Sequence, residues 1–352
     1  MKYIFLLCAC LISITSGLAA QERTVEFEIV MPDVKVTNSL YNTIRFIDSR
    51  DDPDYFGTLL LHERHGFLIS TQSNLRQGDM YPSVVIVKVP LAVQFESLMR
   101  SLVDGNANNA TLYFQLREFA FAETTAFAGN KGYFYFKAGI YARQGTNYKK
   151  LSTIDTIVTI KSTSLLNDLA VTASNVISRF VASNLLKVPS DSVSFTANEI
   201  AEIDNTEKSK IPIYYGSIWR DGLYATYNSF KNQIPDQWVI VEMHKEEISL
   251  IKRINNKGKE ESVPAQDIYA VVYKGVPYIA IQNNYYKLFR KETDFFFITE
   301  GKLYISPVNI FVTTPVFFGL LSKIRQGRSY LMKIDHSSGG FKQIKEVERK
   351  EL

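Results

Sequence analysis

The sequence predicts an α+β protein in which a mixed sheet with two packed helices is followed by a mostly antiparallel β domain. The first half alternates strand-like runs with two stretches whose apolar residues recur at helical spacing. The second half is a series of short β-like runs separated by turn residues. Aromatic residues, which favour strands, make up 13% of the chain.

Strands of the first half are predicted from the alternation of apolar and polar side chains. Residues 24–30 (TVEFEIV) show it most clearly, because charged side chains separate the apolar ones. The same alternation, or a strand-like composition, occurs in further segments at residues 42–47, 81–89, 110–121, 132–141 and 154–161. We expect these segments to form one sheet with a buried face.

Two amphipathic helices are predicted to cover that sheet. The apolar face of the first consists of Leu91, Phe95, Leu98 and Leu102, whose spacing is that of one helical stripe. The second helix is predicted over residues 165–186, where leucine, isoleucine, valine and phenylalanine recur on one side.

A polar segment at residues 188–210 is predicted to link the two halves. Thr196 is followed three residues later by Glu199, which is a capping-box pattern and predicts a short exposed helix. This segment places one domain at residues 21–187 and the other at residues 211–346, with a charged tail at 347–352.

The second half is predicted to consist almost entirely of strands joined by tight turns. Asn and Gly dipeptides and Lys274-Gly275 separate the runs, as expected for successive antiparallel hairpins. A meander, a barrel and a sandwich are all consistent with this pattern. The predicted strands are at residues 238–243, 247–254, 268–273, 276–281, 285–289, 295–299, 302–306, 316–321, 330–334 and 341–344.

The N-terminus has the order of a secretory signal peptide, here assigned to residues 1–20. Lys2 precedes an apolar run (YIFLLCACLISI), and small residues follow before the polar Gln21. Both cysteines, Cys8 and Cys10, lie in this segment, so the exported chain is expected to lack disulfides, cysteine nucleophiles and thiolate metal sites. A second interpretation is a lipobox around Cys10, which would anchor the protein through a lipid.

Charge and hydropathy exclude two kinds of partner. The formal net charge is only +4 and no long Lys/Arg cluster occurs, so we expect no nucleic-acid partner. The longest apolar window after the signal, residues 308–321, is interrupted by polar residues and Pro315. We therefore expect no transmembrane span in the mature chain.

Motifs of known catalytic sites are missing from the sequence. It contains no G-x-S-x-G, no G-x-x-x-x-G-K and no G-x-G-x-x-G. His62 and His65 have a spacing that a metal site could use, but their neighbours favour a polar turn between strands. We expect no catalytic, cofactor-binding or metal-binding residues, although two carboxylates could still converge in the fold as in a hydrolase.

The acidic cluster at residues 48–52 (DSRDD) has three interpretations. It could bind calcium through carboxylate oxygens, but it lacks the spacing and central glycine of a calcium loop. It could be a solvated turn closed by Pro53. Alternatively, Asp48 and Arg50 could pair locally where the strand ends.

Aromatic residues of the second half are the candidate ligand contacts. Adjacent aromatic residues in a strand point to opposite faces, so part of the set is expected to be exposed and could line a glycan- or peptide-binding groove. The alternative is that they pack a small β core through cross-strand pairs. The candidates are Tyr214, Tyr215, Tyr224, Tyr285 and Tyr286.

The order of elements over residues 25–187 resembles the periplasmic domain of the ABC-transport auxiliary and YajG-type lipoproteins of Gram-negative bacteria. The features that carry this resemblance are the strand at 42–47 ending in Asp-Ser-Arg, the helix at 91–102, the following strands and the closing helix at 165–186. In the second half, residues 222–232 (GLYATYNSFKN) resemble a "G-x-Y-x-T/S-x-x-x-F-K-N" opening found in uncharacterised secreted proteins of the same bacteria. Both resemblances imply an envelope accessory role and bring no catalytic residues.

These observations lead to three functional expectations. The first is a non-catalytic exported protein, in the periplasm or at the outer membrane, that binds another envelope component. The second is a secreted glycan- or peptide-binding module that uses exposed aromatics of the β domain. The third is a hydrolase whose carboxylates come together only in the folded chain.

Overall fold

The computed structural model describes residues 23–62, 80–124, 131–162, 165–190, 193–216, 218–281, 283–299 and 328–347. Helix accounts for 20% and strand for 45% of these described residues, which confirms the predicted α+β class. The signal segment with Cys8 and Cys10, the residues after His62 including His65, and the predicted strands at 302–306 and 316–321 lie outside the described residues.

The first half forms a mixed sheet, as predicted, and β8 of the following polar segment extends this sheet to eight strands. Its order is β1-β4-β3-β5-β6-β7-β8, with β2 also beside β5. The pairs β1·β4, β2·β5 and β3·β5 are parallel, and the remaining pairs are antiparallel. The strands are β1 (Arg23–Glu26), β2 (Thr43–Asp48), β3 (Gly57–His62), β4 (Met80–Ile86), β5 (Thr111–Thr124), β6 (Lys131–Gln144), β7 (Asn147–Lys161) and β8 (Ser194–Phe195).

Helices α1 (Leu91–Leu102) and α2 (Leu165–Ala182) bury their apolar faces against this sheet. Phe95 and Leu98 of α1 are 0% exposed, and the ring of Phe95 lies 4.2 Å from that of Phe114 on β5. Burying each such side chain contributes about 1.5–3 kcal/mol, so the aromatic core fixes the helices on the sheet.

Helix α2 ends a turn earlier than its apolar pattern predicts. The side chain of Asn184 donates to the carbonyl of Phe180 at 2.7 Å and accepts from Ser152 on β7 at 2.7 Å. An asparagine that satisfies a carbonyl of the last turn competes with continued helix, and here it also ties the helix end to the sheet.

The polar segment between the halves folds onto the first sheet. It forms β8 and two short helices, α3 (Ala197–Ala201) and α4 (Ile203–Lys208). The predicted capping box is present: Thr196 accepts from the Glu199 amide at 3.2 Å, and the Glu199 carboxylate accepts from the Thr196 amide at 2.7 Å. The helix is not fully exposed, because Ile200 is 0% exposed and packs with tyrosines of the first sheet.

The second half consists of consecutive small antiparallel sheets. Sheets of three and four strands follow the orders β10-β11-β12, β15-β14-β13-β9 and β16-β17-β18-β19. Neighbouring strands are mostly consecutive in the chain, as in the predicted meander, except that β9 pairs with β13. Its elements are α5 (Pro212–Tyr215), β9 (Gly222–Tyr224), α6 (Tyr227–Lys231), β10 (Ile240–His244), β11 (Glu247–Ile254), β12 (Glu260–Ser262), a 3-10 turn (Ala265–Asp267), β13 (Ala270–Tyr273), β14 (Val276–Ile281), β15 (Asn284–Lys287), β16 (Phe289–Lys291), β17 (Asp294–Ile298), β18 (Ser329–Ile334) and β19 (Phe341–Val347).

Turn chemistry explains the registers of these hairpins. Lys274 and Gly275, the predicted turn between β13 and β14, both have positive φ, at 52° and 73°. Two central residues with positive φ give a turn whose twist matches that of the flanking strands. Across the described residues, no helix is both long and apolar enough to cross a membrane.

Candidate functional site

The two halves meet at a cluster of charged side chains, here called the charged junction: Asp51, Arg117, Glu118, Lys137, Asp204, Glu207, Lys208, Asp294, Lys333, Asp335, His336 and Lys342. The first half contributes Arg117 and Glu118, which lie at a bulge of β5 between Leu116 and Glu118. The second half contributes the loop between β18 and β19. Because a bulge redirects neighbouring side chains, it allows two successive charged residues to reach the junction.

Arg117 is the centre of one part of the junction. Its Nη2 atom lies 2.5 Å from Asp204 Oδ1 and 2.6 Å from Glu207 Oε2, both on α4. His336, in the β18–β19 loop, completes the group with its Nε2 atom 2.9 Å from Glu207 Oε2. Burial opposes ionisation of Glu207, but hydrogen bonds with His336 and Arg117 lower its pKa to about 2. Glu207 therefore stays ionised and joins both halves.

Asp204, Glu207 and His336 have the composition of a metal site. Their ligand atoms lie within 4.8 Å of one another. The guanidinium of Arg117 lies among them, however, and contacts both carboxylates. Hydrogen bonds with Glu207 and the charge of Asp204 outweigh burial and raise the Arg117 pKa above its usual value. A permanent cation thus already supplies the positive charge that these carboxylates require, and a metal ion would have to displace it.

Lys342 is the centre of the second part of the junction. It pairs with Glu118 of β5 and lies 3.1 Å from Asp51, which follows β2. Lys333 also contacts Asp51 at 3.2 Å. Burial alone would raise the pKa of Asp51, but Lys342 and Lys333 lower it to about 2. Burial raises the pKa of Glu118, against the opposing effect of Lys342.

Asp335 fixes the loop that carries His336. Its carboxylate accepts from the Ser337 amide at 3.1 Å and from the Ser338 hydroxyl at 2.7 Å, and it lies 3.7 Å from Lys137 of β6. Tyr227 packs under the loop and donates to the His336 carbonyl at 2.6 Å. The loop is thus held by contacts from both halves.

The acidic cluster at residues 48–52 is divided between two roles. Arg50 donates to both carboxylate oxygens of Asp48, at 2.9 and 2.7 Å, which confirms the predicted local pair. Its guanidinium also lies 4.4 Å from the ring centre of Phe56. Asp51 belongs to the charged junction instead, so the expectation of a merely solvated turn is wrong for this residue.

The candidate tyrosines do not form one surface. Tyr214, Tyr224 and Tyr286 are 3%, 0% and 3% exposed, so they are core residues that offer no surface to a ligand. Tyr214 packs against Phe295 at 5.0 Å, and the Tyr286 ring lies 5.7 Å from that of Phe297. Tyr215 is 65% exposed and Tyr285 is half-buried, so these two are the members of the set that a ligand could reach.

A surface cleft nearby has the composition of a binding site. It is small, about 160 Å³, which is below the roughly 300–1,000 Å³ of pockets that enclose a drug-sized ligand, so it has room for a single ring or side chain of a partner. We call it the aromatic cleft; its lining consists of Gly216, Trp219, Pro277, Leu288, Phe289, Arg290 and Phe295. Trp219 lies in the loop before β9, whereas Phe289 and Arg290 lie on β16, so no local sequence pattern predicts that these residues line one cleft.

The walls of the aromatic cleft are held in place by the core. Trp219 stacks on Phe230 at 5.6 Å and meets the edge of Phe295 at 5.5 Å. Arg290 donates from Nη2 to the Tyr214 carbonyl at 2.5 Å and from Nε to the Glu292 carbonyl at 3.1 Å. These two hydrogen bonds fix the orientation of the Arg290 guanidinium beside the other residues that line the cleft.

The chemistry of the aromatic cleft is that of recognition. Rings such as Trp219 and Phe289 can stack on a sugar or an apolar side chain, and a guanidinium such as Arg290 pairs with carboxylates and phosphates. Among the described residues, the lining contains no carboxylate, histidine or hydroxyl group.

The chain has few matches among known proteins. No family model matches it, and no curated protein matches it. Two solved structures resemble part of it: an uncharacterised protein (9% identity, TM-score 0.25, covering 46% of this chain and 98% of the other) and a Xanthomonas campestris protein of the DUF330 family (9% identity, TM-score 0.27, covering 46% and 92%). The resemblance to ABC-transport auxiliary and YajG-type lipoproteins stays a prediction.

Proposed function

We propose that this protein is a non-catalytic, exported accessory protein of the bacterial envelope that binds another envelope component through the aromatic cleft. The observation that carries the proposal is the cleft itself, in which Trp219, Phe289 and an oriented Arg290 lie at the surface. Aromatic residues and arginine are the residue types that contribute most to binding energy at protein interfaces.

The distribution of charge supports a binding role over a catalytic one. Asp204 and Glu207 are neighbouring carboxylates on α4 with oxygens within 4.8 Å of each other, and Arg117 bridges them at 2.5 and 2.6 Å. A general acid must exchange its proton during the reaction, and hydrogen bonds with His336 and Arg117 hold Glu207 in its ionised form. The junction therefore serves to join the halves.

Export is the part of the proposal that rests on residues 1–20. Fractionation of the native host, with mass spectrometry of the mature N-terminus, tests it. A periplasmic chain that begins near Gln21 supports ordinary export, and a membrane-bound chain that begins at a lipidated Cys10 supports the lipoprotein form. A cytoplasmic chain that retains Met1 would contradict the proposal.

Site-specific photocrosslinking tests the binding surface. A photoreactive phenylalanine analogue at position 289 of the full chain is expected to crosslink to another envelope component in the native host. The matched control is the same analogue at Trp238, which is 80% exposed and lies outside the cleft. Equal or absent crosslinking at the two positions would overturn the proposal, as would turnover of an envelope polymer by the purified protein.

A glycan or peptide ligand is the second candidate, favoured by the stacking surface of Trp219 and by the exposed Tyr215, which precedes Gly216 of the lining. The chain has two tryptophans, so Trp238→Phe leaves Trp219 as its only indole. Titration of this variant with soluble peptidoglycan fragments is expected to change Trp219 fluorescence in a saturable manner, and Arg290→Ala is expected to weaken the response. An unchanged spectrum would exclude this class of ligand.

A further inference from the structure

The outer edge of β7 is the longest unpaired strand edge in the described part of the chain. On one side β7 pairs with β6 from Lys131↔Lys161 to Gln144↔Asn147. On the other side β8 pairs only with Tyr148 and Lys149. From Leu151 to Lys161 no described residue forms a ladder with this edge.

Such an edge is a template for another strand, because its outward N–H and C=O groups have no ladder partners. Proteins usually protect edges with proline, with a bulge or with many charges. The segment 151–161 (LSTIDTIVTIK) has no proline, and the β7 bulge lies at its first residue, Leu151, outside residues 155–161. Threonine, isoleucine and valine dominate it, and Asp155 and Lys161 are its only charged residues.

We propose that this edge pairs with the same edge of a second copy of the chain, in an antiparallel dimer centred on Val158. The inference goes beyond the proposed function and does not depend on the aromatic cleft. In this register Asp155 faces the partner's Lys161, and Lys161 faces the partner's Asp155. Between them, Ile157 faces the partner's Thr159, and the two Val158 residues face each other.

Charge selects this register over its neighbours. A dimer centred on Asp155 would place two carboxylates opposite each other, and shifts of the two-fold axis by one residue leave both charges opposite uncharged residues. Opposite charges in directly facing positions stabilise a strand pair, and like charges destabilise it. The segment is thus complementary to itself in the one register that pairs both of its charges.

Both charged residues are available for this pairing. Lys161 is exposed, and the Asp155 side chain is 41% exposed. Asp155 lies 4.0 Å from Lys137, which is closer to Asp335 at 3.7 Å and hydrogen-bonded to Ser337. Lys137 is therefore shared among partners, and Asp155 can accept a second cation.

Sedimentation equilibrium of the full chain over a range of concentrations tests the proposal. The wild type is expected to reach twice the mass of a single chain. Lys161→Glu places a carboxylate opposite the partner's Asp155 at both symmetric positions, so the dimer dissociation constant should rise on the order of tenfold. The double variant Asp155→Lys/Lys161→Glu reverses both charges and should restore dimerisation to near the wild-type level.

Lys150→Glu is the matched control, since it reverses an exposed lysine of β7 outside the paired segment and should leave the dissociation constant unchanged. Asp155→Lys places a second lysine beside Lys137, so the double variant could fail to fold. In that case the dissociation constants of Lys161→Glu and Lys150→Glu still test the dimer. A wild-type protein that stays monomeric would overturn the proposal, even if the β7 edge binds a different envelope protein. So would a dimer that Lys161→Glu does not weaken.

Hydrogen exchange gives an independent measurement on the same samples. The outward-facing amides among residues 155–161, which alternate with those bonded to β6, should exchange more slowly as protein concentration rises, because pairing with the partner's strand protects them. The β8-paired amides of Tyr148 and Lys149 should not depend on concentration. Exchange in 155–161 that is independent of concentration would contradict the dimer.

Discussion

The charged junction and the aromatic cleft differ in how their polar groups are used. At the junction, Arg117 contacts both Asp204 and Glu207, and Lys342 contacts both Glu118 and Asp51. At the cleft, one oriented guanidinium lies beside the exposed ring of Phe289 and the half-buried ring of Trp219. A region whose charges neutralise each other stabilises the fold, whereas a region with open apolar surface is suited to a partner. Substitutions in the two regions should therefore separate stability from binding.

The largest expected difference is between two arginines. Arg117→Ala leaves Asp204 and Glu207 without their cation at a site where the arginine side chain is only 10% exposed. Removing one partner of a buried ion pair is expected to destabilise the protein by about 3–5 kcal/mol. Arg290→Ala should change stability by less than about 1 kcal/mol, because that side chain is exposed. Urea denaturation of both variants measures the difference, and equal losses would contradict the division of roles.

A pair of glycines tests the packing of the β18–β19 loop. A Cβ on Gly339 would lie 2.2–2.6 Å from Tyr227, and this residue also has φ at 76°. Gly258 has a similar φ of 72° with nothing within 4 Å of its Cβ position. Gly339→Ala is thus expected to lower stability by about 2–3 kcal/mol and Gly258→Ala by about 1 kcal/mol, as measured by thermal unfolding. Equal effects would mean that backbone strain alone matters at Gly339.

The pH dependence of unfolding should also depend on the junction. Folding lowers the pKa of Glu207 from 4.5 to about 2, so the unfolded chain binds more protons between these values. The stabilisation is therefore fully present above pH 4.5 and is lost as the pH falls towards 2. Because the Glu207 side chain is 39% exposed, we expect about 1–2 kcal/mol from it after solvent screening.

Glu207→Gln is the variant that measures this contribution. Its free energy of unfolding should fall less steeply between pH 4.5 and 2 than that of the wild type. Glu260→Gln is a control, since that side chain is 50% exposed and lies in the β10–β12 sheet away from the junction. Parallel acid titrations of wild type and Glu207→Gln would contradict the assignment.

The smallest expected effect concerns the N-terminal cap of α3. Thr196→Ala removes the acceptor of the Glu199 amide and should cost about 1 kcal/mol. Thr196→Ser keeps the acceptor and should be close to neutral. Urea denaturation distinguishes the two, and a loss with serine as large as that with alanine would show that the cap hydroxyl is not responsible.

Local patterns in the sequence predicted the elements that local interactions determine. The apolar stripe from Leu91 to Leu102 matches α1 residue for residue, and Thr196 with Glu199 forms the predicted capping box. Asp48 and Arg50 are two residues apart, and they form the local pair that is one of the three interpretations of the acidic cluster. In each case the interacting residues are close together in the chain, so their spacing in the sequence is enough to predict the contact.

The junction and the cleft could not be predicted in this way. Arg117 and His336 are 219 residues apart, and Asp51 and Lys333 are 282 residues apart. Tyr214 and Tyr215 were expected on a strand with alternating faces, but Pro212 begins a short helix there. The burial of Tyr214 and the exposure of Tyr215 therefore depend on how α5 packs against distant residues, which the local sequence pattern does not show.

The β18–β19 hairpin has a consequence for the order in which the chain folds. Lys137 and Glu118 receive Asp335 and Lys342 as partners only after residues 329–347 have been synthesised. The first sheet and its helices can assemble earlier, because their contacts lie within residues 23–185. We expect an intermediate with a folded first half and exposed junction charges, whose conversion to the native state is slow because closing contacts over hundreds of residues is entropically costly.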